Sequence, residues 1–196
     1  MTTFVGLTGG IGAGKSEALA AFERRGAATL STDHVTHELL EDPEVLAELA
    51  ARWGPEVAAN GEVDRARVAE QVFSDREELS WLEGVLHPRV GRHVLEWRQG
   101  LGDEVRVAVV EVPLLFEAAM EDAFDATVAL VAADEIREDR LAARGQPGLE
   151  GRSQRQLDQA EKAARADHVI RNDGSLEDLD REVADLLERL GGEPSG

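Results

Sequence analysis

Gly6-Leu7-Thr8-Gly9-Gly10-Ile11-Gly12-Ala13-Gly14-Lys15-Ser16 is the stretch on which the fold turns. From Gly9 to Ser16 it satisfies the pattern G-x-x-x-x-G-K-[ST]. Its surroundings have the order that the pattern requires. The apolar residues Phe4, Val5 and Leu7 come before it, and after Ser16 the spacing of Leu19 and Phe22 is helical, with Gly26 as a stop. Glycines let successive backbone N–H groups turn inward on a phosphate with no Cβ in the way, and the helix N-terminus adds the positive end of its dipole. Gly10, Ile11, Gly12, Ala13 and Gly14 would form the cradle, with Glu17 closing the segment. Lys15 would reach the β- and γ-phosphates of ATP, and the Ser16 hydroxyl would ligate Mg2+. Lysine is scarce here, Lys15 and Lys162 standing against nineteen arginines, which makes an accidental match rare.

Outward from the loop, Ala27–Leu30, Val105–Val112 and Ala126–Ala132 read as further buried strands, and His168–Ile170 as a short last one. Near-continuous apolar strands alternating with helical stretches require a mainly parallel sheet covered on both faces, so the fold class is α/β. Ser175 and Asp178 resemble a capping box. Leu176, Leu179, Val183, Leu186, Leu187 and Leu190 then repeat at helical spacing. We expect one domain, with a core of residues 1–37, 101–135 and 163–190. A helical substrate-side insertion (38–100) is broken at Gly54-Pro55, Asn60-Gly61 and Pro88, and a charged lid (136–162) contains Gly145, Pro147, Gly148 and Gly151.

At 196 residues the chain supports one substantial core, and 42% hydrophobic with 31% charged residues is a globular composition. Without cysteine there are no disulfides and no thiolate chemistry. A net charge of −19 argues against nucleic-acid and anionic-membrane partners. No export leader or membrane-length apolar run is visible, and we expect a cytoplasmic protein, with a monomer favoured. Cations concentrate locally, with seven of them against five carboxylates from Ile136 to Arg165.

Phosphoryl transfer needs a carboxylate to take the acceptor's proton and cations to balance the moving charge. Asp33 follows the second strand, on the sheet edge where ligands gather, and is the candidate base; the alternative is an N-cap for the helix near His34. Arg137, Arg140 and Arg144 share one helical face and suit either a nucleotide clamp or ordinary ion pairing. His34 and His37, three apart, lack further ligands at metal spacing and read as solvated helix residues.

The chain resembles the dephospho-CoA kinases over nearly its whole length. The likeness is carried by the extended loop from Gly6, Asp33, Asp64-Arg65, Val72-Phe73-Ser74-Asp75, His87-Pro88, Pro113-Leu114-Leu115-Phe116-Glu117 and the closing run Ala166 to Ser175. The resemblance implies a three-layer P-loop kinase with a helical substrate domain and a lid, using ATP and Mg2+. It also implies transfer of the γ-phosphoryl to the ribose 3′-hydroxyl of dephospho-CoA, the last step of coenzyme A synthesis. By residue matching, Asp33 would be the base, Lys15 and Arg140 would stabilise the transferring group, and Asn172 would lie near the adenine. Thr8, Asp33, His87 and Pro113 to Glu117 would line the acceptor side. Departures are Ser31-Thr32-Asp33 for the usual Asp-Ala-Asp, Glu17 for a threonine, and a shorter, glycine-richer lid between Arg144 and Gln156 that shifts the register of Arg144 and Arg152. The rival readings are a P-loop kinase of nucleotides or nucleosides and a nucleotide-binding regulator; no guanine-reading N-K-x-D occurs.

Overall fold

The computed structural model describes residues 1–145 and 156–192. Arg152 and the centre of the expected lid, with Pro147, Gly148 and Gly151, lie outside the described residues, as does the chain end beyond Gly192. The chain divides into two compact units, Met1–Ser31 with Leu101–Gly196, and Thr32–Gly100.

The first unit is built on five parallel strands: β1 (Thr3–Gly9), β2 (Ala28–Ser31), β3 (Val107–Glu111), β4 (Ala126–Val131) and β5 (His168–Arg171), in the order β2-β3-β1-β4-β5. Every residue of β3 and β4 is buried, as strands covered on both faces must be. Alternation sorts the faces of β1. Val5 and Leu7 pack under α1 (Lys15–Arg24) and α8 (Leu176–Gly192), through Ala18, Phe22, Leu179, Val183, Leu186 and Leu190. On the other face Phe124 stacks on Phe4 with ring centres 4.9 Å apart, and Leu115 and Phe124 close over the bare backbone of Gly6. The expected capping box is present, Ser175 and Asp178 each accepting from the other's N–H. Leu176, at the first position of α8, stays on the surface instead of joining the core stripe.

The second unit is helical: α2 (Thr32–Leu39), α3 (Pro43–Trp53), α4 (Arg65–Ser74) and α5 (Arg76–Gln99), with a 3-10 turn over Pro55–Gly61. It therefore begins at Thr32, six residues before the boundary drawn from sequence. Asp42, Asp64 and Asp75 cap α3, α4 and α5 by accepting backbone N–H bonds. Val45, Leu49, Val57, Val68, Leu82, Val85 and Leu86 form its core. Trp53 meets Trp81 edge-on at 5.1 Å, and Glu78 accepts two bonds from Arg52 and one from Trp53. Contrary to the sequence reading, Pro88 does not end a helix; α5 runs through it for 24 residues. The carbonyl that a helical Pro88 crowds belongs to Gly84, which carries no side chain and has open space around it, and the apolar packing on Leu82, Val85 and Leu86 outweighs one lost hydrogen bond.

Edge strand β5 is locked at its start by Asp167. Its Oδ2 accepts from the Thr127 hydroxyl at 2.7 Å and the Thr127 N–H at 2.8 Å, and the Asp167 N–H donates back to the Thr127 hydroxyl at 3.1 Å. The hydroxyl bond, aided by the N–H bond and opposed by partial burial, holds the Asp167 carboxyl below the usual aspartate range. A depressed carboxyl stabilises the fold above its unfolded value and loses that contribution as pH falls through the folded one. Asp167→Asn is expected to lose about 1 kcal/mol at pH 7, after allowing for solvent screening. In urea titrations the gap should close as pH falls below the ordinary aspartate range; a gap independent of pH contradicts the lock.

Candidate active site

β1 ends at Gly9, where the backbone leaves the sheet, and re-enters regular structure at Lys15. Two left-handed residues make the turn possible, Gly12 at φ 77° and Gly14 at φ 95°. The Ala13 N–H donates to the Gly10 carbonyl at 3.2 Å and closes the loop, while the Ala13 side chain is fully buried beneath it. No side chain caps α1 at Gly14, so the first-turn N–H groups and the dipole are left for an anion. Lys15 Nζ lies over the loop and donates to the carbonyls of Gly9 at 3.2 Å and Gly10 at 3.3 Å. Ser16 and Glu17 are exposed on the first turn.

Three side chains from distant parts of the chain support this loop. Asn172, just after β5, is buried and donates from Nδ2 to the Ala13 carbonyl at 2.8 Å. Arg140, on α6 (Asp134–Ala143), donates to the same carbonyl at 3.2 Å and to the Asn172 carbonyl at 3.1 Å. Arg137, one turn earlier on α6, donates to the Ile11 carbonyl at 2.8 Å and pairs with Asp134 at 2.7 Å. Of the three arginines read as a clamp, Arg137 and Arg140 thus reach the loop; Arg144 sits exposed at the C-cap of α6.

On the β3 side of the loop, the Thr8 hydroxyl donates to the Pro113 carbonyl at 3.2 Å. Leu115 and Phe116 are core residues, while Pro113, Leu114 and Glu117 are half-buried. Sequence reasoning assigned nothing to Lys162, on α7 (Gln159–Arg165), yet it is fully buried against this segment, 3.0 Å from Glu117 Oε1. Its rarity in an arginine-rich chain was the available signal. Asp33 and His87 belong to the helical unit. Asp33 lies exposed within the first turn of α2, two residues after β2 ends, so it is a helix residue and not the cap; His87 is exposed in mid-α5.

A family model described as dephospho-CoA kinase matches residues 3–178. The chain belongs to the dephospho-CoA kinase family. The dephospho-CoA kinase of Thermobifida fusca is 36% identical over 191 residues, 95% of each chain. A solved protein of Thermus thermophilus superposes with a TM-score of 0.82 at 37% identity, covering 96% of this chain and 98% of that one. The solved dephospho-CoA kinase of Campylobacter jejuni gives 0.73 at 26% identity, covering 97% and 98%. The chain is therefore a transferase of the P-loop kinase class, and the readings as a nucleotide kinase or a regulator give way.

Gly14 carries the sharpest constraint. A Cβ there would be strained by the left-handed backbone and would collide with Asn172 Nδ2. Gly14→Ala is expected to weaken ATP binding at least ~10-fold in isothermal titration, because the loop and its Asn172 support must part; unchanged affinity would contradict the geometry.

Proposed function

We propose that this chain transfers the γ-phosphoryl of ATP to the ribose 3′-hydroxyl of dephospho-CoA, with Lys15, Arg140 and Asp33 carrying the chemistry. The observation that supports it most is the convergence of Arg140 and Asn172 on the Ala13 carbonyl, which joins a cation and a purine-side amide to the phosphate loop. Apart from Ala13, whose N–H closes the loop on the Gly10 carbonyl, the residues from Gly10 to Ser16 offer their N–H groups to the β- and γ-phosphates. Lys15 and Arg140 donate to neutral carbonyls; charged phosphate oxygens are the stronger acceptors and would draw both groups over.

Asp33 takes the proton of the 3′-hydroxyl as its oxygen bonds to the γ-phosphorus, and the bond from that phosphorus to the bridging oxygen breaks to release ADP. Lys15 and Arg140 offset the charge on the transferring group. The donor set fits Mg2+, which keeps several waters beside phosphates and needs one or two protein oxygens; the exposed Ser16 hydroxyl next to Lys15 supplies one. Held there, Mg2+ would supply positive charge to offset that on the phosphates and on the leaving oxygen. Glu17 contributes backbone only. Asn172 borders the adenine, and Thr8, His87 and Pro113 to Glu117 border the acceptor, Thr8, Leu115 and Phe116 through their backbone since their side chains are buried. The lid lies within residues 136–162, short of Gln159 and Lys162, which are fixed to the core, and the helical insertion receives the acceptor. A cytoplasmic monomer suffices for this reading, since one chain supplies every group named; no described helix is long and apolar enough to cross a membrane.

Lys15→Ala should abolish turnover with the circular dichroism spectrum intact; an active variant would sink the assignment. Asp33→Asn should keep ATP affinity and lose ~10²–10⁴-fold in kcat, the usual worth of a general base. An unchanged kcat would leave Asp33 as a surface residue of α2.

A further inference from the structure

Lys162 is a buried cation with no part in the chemistry above. Burial of an ammonium is tolerated only with a counter-charge and a full set of acceptors. Lys162 has both. Its Nζ pairs with Glu117 Oε1 at 3.0 Å and donates to the Pro113 carbonyl at 2.5 Å and the Thr8 hydroxyl at 3.3 Å. Thr8 directly precedes Gly9, and Pro113 and Glu117 bound the turn after β3. One ammonium therefore ties the entry of the phosphate loop to that turn. The same helix is fixed to the end of β4 by Gln159, whose amide exchanges two bonds with Ala132, at 3.1 and 2.8 Å.

A helix could be anchored here by an apolar residue of similar volume with no charge to desolvate, so the choice of a lysine asks for a reason. Glu117 supplies one. Its Oε1 is occupied by Lys162 and by the Leu157 N–H at 2.8 Å, whereas Oε2 is buried with no hydrogen-bond partner among the described residues. A carboxylate oxygen left so is destabilising unless something uses it. Along the sheet edge, Arg140 and Asn172 follow β4 and β5, and the Glu117 turn follows β3, on the opposite side of the loop and next to β2, after which Asp33 comes. The nucleotide's supports lie on one side, which leaves the β3 side to the acceptor.

We propose that Lys162 is a positioning residue for the acceptor: it sets the Pro113–Glu117 turn against Thr8 and holds the Glu117 carboxyl by Oε1, with Oε2 left for a hydroxyl or amide N–H of the bound acceptor. The pair is already neutral overall, so it suits an uncharged donor and not a second cation. This inference rests on the acceptor reading given above.

The test compares wild type, Lys162→Met and Lys162→Met/Glu117→Gln for thermal stability, ATP affinity by calorimetry, and kcat/KM for dephospho-CoA. Lys162→Met strands a buried carboxylate, and its Tm should fall by about 10 °C. The double variant removes both charges and should recover to within about 3 °C of wild type. Both should lose about 10²-fold in kcat/KM with a raised KM for dephospho-CoA, the scale of an ångström of misplacement, while ATP affinity stays within about threefold. A double variant with recovered stability and wild-type kcat/KM would show that the lysine is only a tether. A double variant that does not fold, or one that loses ATP affinity in step with kcat/KM, overturns the inference equally. Absence of dephospho-CoA-dependent turnover in the wild type would instead sink the acceptor reading.

Discussion

The Ala13 carbonyl oxygen accepts two hydrogen bonds, one from Asn172 and one from Arg140, and the Arg140 guanidinium closes the triangle on the Asn172 carbonyl. These few contacts bind together pieces of chain more than a hundred residues apart. From within, the loop is held by the Ala13 N–H on the Gly10 carbonyl and by Lys15 on the Gly9 and Gly10 carbonyls, and the rest of its support comes from outside. What β1 begins, the helix after β4 and the residue after β5 complete. A parallel sheet that puts the carboxyl ends of these strands side by side is the architecture that lets them meet.

Two kinds of support flank the loop. On the β4 and β5 side the contacts are cation to carbonyl, weak enough to be exchanged for phosphate oxygens. On the β3 side the contact is a buried ion pair whose ammonium also donates to the Pro113 carbonyl and the Thr8 hydroxyl, which fixes geometry. The overall charge of −19 makes the placement of cations selective: Lys15, Arg137, Arg140 and Lys162 all converge on the sheet edge where a polyanion would sit. Elsewhere the acidic surface repels competing polyanions.

Strands and loop were legible in the sequence because their signals are local. Apolar runs between glycines gave β1 to β5 to within two residues at each end, and the phosphate loop needs only its own residue types. The helical character of 38–99 was equally plain, yet Pro88 was read as a break, since a helix held by the packing of Leu82, Val85 and Leu86 shows itself only when the partner helices are in place. Asp64 and Asp75, part of the likeness to the family, cap α4 and α5, so those matches carry helix starts and not chemistry. Lys162 showed only by its rarity, and for a deeper reason. On a charged stretch it looks like any solvated lysine, and its burial depends on Thr8, Pro113 and Glu117, between 45 and 154 residues away.

If the β3 side of the loop receives a single acceptor, as proposed, the chain must discriminate among candidate hydroxyls. The most direct measurement is ATP-dependent ADP release with dephospho-CoA, AMP and adenosine offered separately, followed by location of the new phosphate in the product by phosphorus NMR. Turnover is expected with dephospho-CoA alone, one ADP per phosphate placed on the ribose 3′-oxygen. Preferred phosphorylation of AMP or adenosine, or a phosphate at another position, would contradict it.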